Sequence, residues 1–143
     1  MKSIIVKRHY SRRDLREIAR QAAILHGLNP DLFVAQIHHE SHFNPRALSR
    51  AGAIGVAQIM PGTARGWGVN PWHPQAALNA AARNMAGYVR TYQRQGHDRK
   101  TAEKMALAAY NAGPNAVAKH HRVPKIPETQ HYVKVILANA GGQ

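Results

Sequence analysis

Seven acidic residues are spread along a chain of 143, and one of them, Glu40, falls where a carboxylate is least comfortable. At about 100° per residue, Phe33, Ile37 and Glu40 project at roughly 0°, 40° and −20° around a shared helix, so the glutamate lies inside an apolar stripe. Burial there disfavours the charged form, raises the pKa and lets a carboxylic acid keep its proton near neutral pH, as a general acid must. The same position also suits a bland alternative, in which the side chain curls out to water from the last helical turn or pairs with an arginine. Cleavage of glycosidic bonds normally takes two carboxyl groups, about 5–5.5 Å apart for retention and about 6.5–9.5 Å for inversion. The acid inventory restricts the choice of a second. Asp31 lies nine residues before Glu40, on the opposite face of the same helix, while Asp14, Glu17, Asp98 and Glu103 fall at helix starts or on charged faces. Only Glu128 sits in a segment irregular enough to reach a shared cleft. If Glu40 acts on a sugar, either Glu128 is its partner or the substrate supplies the second group, as the acetamido oxygen of N-acetyl sugars does in substrate-assisted cases.

The elements that must position these residues are helices. Ser11 with Asp14 three residues on signals a capped helix start, Leu15, Ile18, Ala22 and Leu25 are expected on its inner side, and Gly27 stops it. After Asn29-Pro30, residues 31–42 read as a second helix ended by Asn44-Pro45, with Glu40 near its C-terminus. Residues 49–57 lack a sustained period and contain Gly52 and Gly55, which predicts a loop, followed by a short helix that begins near Pro61 and is closed by Gly66 and Gly68. Pro74 to Gln95 and Thr101 to Ala112 read as two longer helices, with Gly113-Pro114 as a stop. Pro124 and Pro127 mark an irregular stretch before a last helix that reaches Gly141-Gly142. No segment has sustained strand alternation, so the expected fold class is all-α.

Length and composition set wider bounds. The chain suits one compact domain, residues 1–143, with residues 1–10 expected as an N-terminal extension. It has no cysteine, which removes disulfides and thiolate metal sites. Twenty Lys and Arg against seven acids give a formal charge of +13, a composition that seeks polyanions. Ile4-Ile5-Val6 is far shorter than a signal-peptide core of about 7–15 residues, so no export signal is expected and the chain reads as soluble.

The residues from Glu40 onward carry more than periodicity. Glu40-Ser41-His42-Phe43-Asn44-Pro45-Arg46-Ala47-Leu48-Ser49 is followed by Gly52-Ala53-Ile54-Gly55-Val56-Ala57-Gln58-Ile59-Met60-Pro61-Gly62-Thr63-Ala64. Two further blocks come in order, Ala108-Ala109-Tyr110-Asn111-Ala112-Gly113 and Pro127-Glu128-Thr129 with Tyr132-Val133. The set resembles the soluble lytic transglycosylase family, whose pattern runs ES-x-F-x-P-x-A-x-S, then GA-x-GL-x-Q-x-MP-x-TA. The resemblance implies a lysozyme-like helical domain with its cleft between helices, and non-hydrolytic cleavage of the β-1,4 bond between N-acetylmuramic acid and N-acetylglucosamine. It implies that Glu40 protonates the glycosidic oxygen and then acts as base on the muramoyl 6-hydroxyl, closing a 1,6-anhydro ring. It places Ser49 beside the muramoyl acetamido group, Gln58 and Met60 along the sugar chain, Tyr110 and Asn111 on the other cleft wall, and Glu128 as an orienting acid. No metal or cofactor is called for. Val56 and Ala57 stand where the family usually has leucine and a larger apolar residue, a modest loss of cleft wall. The Gly52 to Gly55 loop is expected to let backbone approach a sugar closely.

Each of these residues has a plainer role open to it: Tyr110 as a core aromatic, Gln58 as a loop-packing amide, Glu128 as a charge complementing a helix N-terminus. A zinc-helix reading of His38-His39-Glu40-Ser41-His42 fails at residue 43, where Phe43 stands in place of the second histidine of H-E-x-x-H. Scattered basic residues without an aromatic-studded stretch argue against a specific nucleic-acid partner. The expected partners are peptidoglycan glycan strands and an anionic envelope surface, met by a monomer. A hydrolytic lysozyme on the same scaffold is the near rival. A chain of this kind fits a bacteriophage lysis or virion enzyme acting on the periplasmic wall from a host-cytoplasmic origin, with a bacterial wall-remodelling enzyme as the alternative.

Overall fold

The computed structural model describes residues 9–141, among which seven helices are formed: α1 Arg12–His26, α2 Pro30–Ser41, α3 Pro61–Trp67, α4 Pro74–Arg94, α5 Arg99–Ala112, α6 Pro114–His120 and α7 Pro127–Asn139. Ile4, Ile5 and Val6 lie outside the described residues. Of the expected extension only His9 and Tyr10 fall inside them, and Tyr10 packs against the core.

Proline explains where most of these helices begin. It opens α2, α3, α4, α6 and α7, where its missing N–H forfeits no intrahelical bond and its fixed φ suits the first turn. The same chemistry corrects one expectation. Gly113-Pro114 does stop α5, but Pro114 at once starts α6, with Gly113 at φ 92 forming the joint between the two. Helix α5 also begins two residues earlier than expected, because the Asp98 side chain accepts from the Thr101 N–H and caps it.

The capping box at the start of α1 is present in full, Ser11 accepting from the Asp14 N–H and Asp14 from the Ser11 N–H. Its buried face overlaps the expected one only in part, in Leu15 and Ala22. Leu15, Ala19, Ala22 and Ala23 point inward, whereas Ile18 is only partly covered and Leu25 is 74% exposed. Helix α1 packs on both α2 and α4, and small alanines let it lie close to each, which rotates the contact away from the larger side chains.

Helix α2 is buried along its middle. Leu32 through Ile37 are all buried, an all-round burial that matches its weak amphipathicity. It is flanked by α1 and α7, while α4 pairs with both α1 and α5. One continuous core joins Leu15, Phe33, Ile37, Leu78, Met85 and Ile136 among others, and each such large side chain contributes about 1.5–3 kcal/mol on burial. Between α2 and α3 the chain forms no helix. Isolated bridges from Leu48 to Ile54 and from Ile54 to Ile59 fold residues 44–60 into a compact loop beside the end of α2. No helix among the described residues is long and apolar enough to cross a membrane.

Candidate active site

Glu40 occupies the last turn of α2, and the chain leaves that turn abruptly. His42 and Phe43 both take left-handed backbone, at φ 53 and φ 61, which L side chains adopt only when something else holds them there. The restraint is visible. Phe43 is buried under the Arg16 guanidinium, 5.0 Å from its ring centroid, and the Ser41 hydroxyl donates to the buried Val56 carbonyl at 2.6 Å. A third non-glycine residue with positive φ, Gln58 at 51°, lies in the loop that Ser41 ties down. Backbone strain therefore gathers around one side of Glu40.

The Glu40 carboxylate turns inward. Its Oε2 accepts from the Tyr132 hydroxyl of α7 at 2.7 Å, and the same phenol oxygen accepts from Gln36 Nε2 at 3.1 Å. No cation forms an ion pair with it among the described residues. Burial pushes its pKa from the ordinary 4.5 up to about 7; the Tyr132 hydrogen bond pulls the other way, and the negative charge of Glu128 adds to the rise. A carboxyl poised near 7 can hold a proton and release it at the same pH. The two phenols that face it, Tyr132 and Tyr110, are held well above the usual tyrosine range by burial and by Glu40 itself, so both remain neutral donors.

The other residues singled out in the sequence divide into wall, pin and rim. Gln58, Met60, Tyr110 and Asn111 line one cavity of about 270 Å³, together with Trp67 and Tyr88. Within it, Met60 is 43% exposed at the rim. Gln58 spends its amide on the loop itself, donating to the Gly55 carbonyl at 2.9 Å and the Ala47 carbonyl at 3.3 Å. The Tyr110 hydroxyl donates to the Ala57 carbonyl at 2.7 Å, and Asn111 Oδ1 accepts from Thr129 at 2.8 Å, which ties α5 to the loop and to α7. Ser49 closes its own turn by accepting from the Ala53 N–H at 2.9 Å. Glu128 is exposed in the first turn of α7, facing Glu40 by charge without a hydrogen bond to it.

The glycine expectation needs correcting at Gly55 alone, since Gly52, at φ +97, has open space where a Cβ would lie. Gly55 is buried, at φ +79, and a Cβ there would collide with the Pro71 carbonyl oxygen. At residue 55 the close approach that demands glycine is therefore between two stretches of this chain. On the far face of α2, Asp31 pairs with Arg20 at 3.1 Å, and the His38 and His42 rings stand 4.5 Å apart. Among the described residues no group of three or more His, Cys, Asp or Glu is placed to hold a metal ion.

Two residues at the site have no role assigned from the sequence: Gln36, and Tyr132, which appears there only as part of the fourth block. Tyr132 is one helical turn beyond Glu128, and Gln36 one turn before Glu40, so an i, i+4 search from each acid would have found both. That the two turns meet is a fact of tertiary packing.

The helical architecture and the inward glutamate define an all-α domain with one buried carboxyl at its candidate site. The chain belongs to the transglycosylase SLT domain family, which matches residues 17–133. It is 31% identical over 115 residues to membrane-bound lytic murein transglycosylase C of Actinobacillus pleuropneumoniae, covering 71% of this chain and 31% of that protein. It is 29% identical over 122 residues to the transglycosylase of Enterobacteria phage PRD1, covering 84% of this chain and 43% of that one. The fold is shared with the lytic transglycosylase Slt of Pseudomonas aeruginosa, solved as an inactive glutamate-to-glutamine mutant, at a TM-score of 0.69 and 27% identity over 87% of this chain and 23% of that chain. The chain thus spans less than half the length of each of these relatives.

Proposed function

We propose that residues 1–143 form one catalytic domain that cleaves the β-1,4 bond between N-acetylmuramic acid and N-acetylglucosamine in peptidoglycan without adding water. The observation that carries this reading is the inward Glu40 carboxyl, without an ion-pair partner among the described residues, with its pKa near 7 and Tyr132 hydrogen-bonded behind it. A single carboxyl must act twice. Glu40 first gives its proton to the glycosidic oxygen as the bond from that oxygen to muramoyl C1 breaks, and the N-acetylglucosamine leaves with a 4-hydroxyl. The muramoyl 6-oxygen then bonds to C1 while its proton passes to the Glu40 carboxylate, which restores the acid and leaves a 1,6-anhydro sugar. Atoms and charge balance with no second carboxylate, and Glu128 serves by its charge, holding up the proton affinity of Glu40.

In this reading Gln58, Met60, Tyr110 and Asn111 wall the groove along the sugar chain, and Ser49 lies beside the acetamido group. The setting that fits is wall lysis or penetration by a bacteriophage, by similarity to the phage relative, with the enzyme made in the host cytoplasm and acting in the periplasm. The formal charge of +13 favours adsorption to an anionic envelope surface by a monomer. The test is Glu40→Gln on purified sacculi, with anhydro-muropeptides counted by mass spectrometry. Turnover is expected to fall by about two to four orders of magnitude, the usual worth of general acid–base catalysis. A variant with near-normal turnover refutes the role of Glu40, and a wild-type digest dominated by hydrated muropeptides assigns the domain to the hydrolytic lysozymes instead.

A further inference from the structure

The chemistry proposed above has Glu40 releasing a proton and then taking one back, which raises the question of which carboxyl oxygen does so. We propose that Gln36 is a positioning residue: by donating its amide N–H to the Tyr132 hydroxyl, it commits the single phenol proton to Glu40 Oε2 and leaves Oε1 to carry the catalytic proton. This rests on Glu40 being the acid and base of the domain.

The hydrogen bonds run one way, from Gln36 Nε2 to the Tyr132 oxygen at 3.1 Å and from the Tyr132 hydroxyl to Glu40 Oε2 at 2.7 Å. A phenol has one proton and can also accept. With an N–H aimed at its oxygen from Gln36, that proton has Glu40 as its acceptor. Oε2 can accept it in both protonation states, as a carboxylate oxygen or as the carbonyl oxygen of the acid. The carboxyl can therefore stay in place while a proton comes and goes on Oε1. Without the amide, the phenol is free to turn its proton away and accept from a protonated Oε2, and the acid proton is then held against Tyr132 and away from a substrate.

The amide is a costly residue for the place it occupies. Gln36 is 0% exposed, among Leu32, Phe33, Val34, Ala35 and Ile37 on a helix buried all round. Its Oε1 is buried without a hydrogen-bond partner among the described residues. A buried, half-satisfied amide is disfavoured against an apolar residue of the same size, and such exceptions call for a reason beyond packing. The donation to Tyr132 is that reason. The remaining groups around the pair do not supply it: Glu128 and Tyr132 face Glu40 from α7, Tyr110 faces it from α5 and donates elsewhere, and the His39 ring meets Tyr132 edge-on at 5.3 Å.

The test is Gln36→Met, with Gln36→Leu as a second apolar variant, each alone and combined with Tyr132→Phe in the full chain. Folding is checked by melting, the Glu40 titration midpoint is followed by carboxyl carbon NMR without substrate, and kcat and KM are measured on sacculi. Loss of the donor weakens the Tyr132 bond to the carboxylate, so the midpoint is expected to rise by about half a pH unit, the share that one link passes along a polarised chain. A fall in kcat of about tenfold is expected at unchanged KM, a loss within the worth of one hydrogen bond. Both effects are expected to vanish in the Tyr132→Phe background. An unmoved midpoint, or an equal shift in both backgrounds, overturns the proposal. Because the midpoint is read without turnover, it decides the role of Gln36 even if product analysis places the domain among the hydrolases.

Discussion

If burial of Glu40 is what raises its pKa, replacing it by a residue that never ionises must stabilise the fold, and only at the right pH. In the unfolded chain the glutamate titrates near 4.5; in the folded chain it titrates near 7. The folded state therefore binds its proton more tightly, so this contribution to stability is fully present below pH 4.5 and is lost as pH rises through 7. At about 1.36 kcal/mol per pH unit, the difference sets a ceiling of about 3.4 kcal/mol above pH 8, and water reaching the cleft reduces the expected value to about 2 kcal/mol. Glu40→Gln keeps the size and an oxygen for Tyr132 to donate to, but carries no charge to desolvate. The assay is urea or thermal unfolding of both proteins at pH 4.5, 6, 7 and 8.5. The two are expected to be nearly equal at the lowest pH, with the variant gaining progressively to about 5–8 °C in Tm at the highest. The other titrating groups are common to both proteins and, apart from the coupling between Glu40 and Glu128, cancel in the difference. A stability gap that does not change between pH 4.5 and 8.5 would refute the reasoning, because it would mean that Glu40 is ionised at no cost in the folded state.

Other consequences follow from single contacts. Tyr132→Phe removes a charge-assisted hydrogen bond of 2.7 Å, worth about 1.5–3 kcal/mol, which favours the carboxylate; the Glu40 midpoint should rise by about one to two pH units, carrying the alkaline limb of the pH–rate profile up with it. An alkaline limb that stays in place or moves down would show that the phenol does not act on Glu40. Gly55→Ala places a Cβ against the Pro71 carbonyl at a φ of +79, and is expected to destabilise the fold by about 3 kcal/mol or more in thermal unfolding, whereas a wild-type melting curve would mean that the loop has room to shift.

A good part of this protein is written locally. Ser11, Asp14, Gly27, Pro61, Pro74 and Pro127 mark helix ends through backbone chemistry that needs no partner from elsewhere in the chain, and their helices appear within a residue or two of where those signals fall. The spacing of Phe33, Ile37 and Glu40 alone put a carboxylate on an apolar face, and the count of seven acids left it nearly solitary. Pro114 was legible too, but ambiguous, since proline both ends one helix and begins another. What the chain order does not carry is which faces meet. Leu25 is exposed and Ala19 buried because α1 is clasped by two neighbours, a matter of packing that periodicity cannot see. Gly55 is glycine because of Pro71, sixteen residues away. Tyr132 and Gln36 become part of the site only because α7 crosses α2, bringing together side chains 96 residues apart. Sequence placed the acid; the tertiary structure supplied the burial that holds its proton and the hydroxyl that steadies it, because desolvation and hydrogen bonding depend on neighbours in space rather than along the chain.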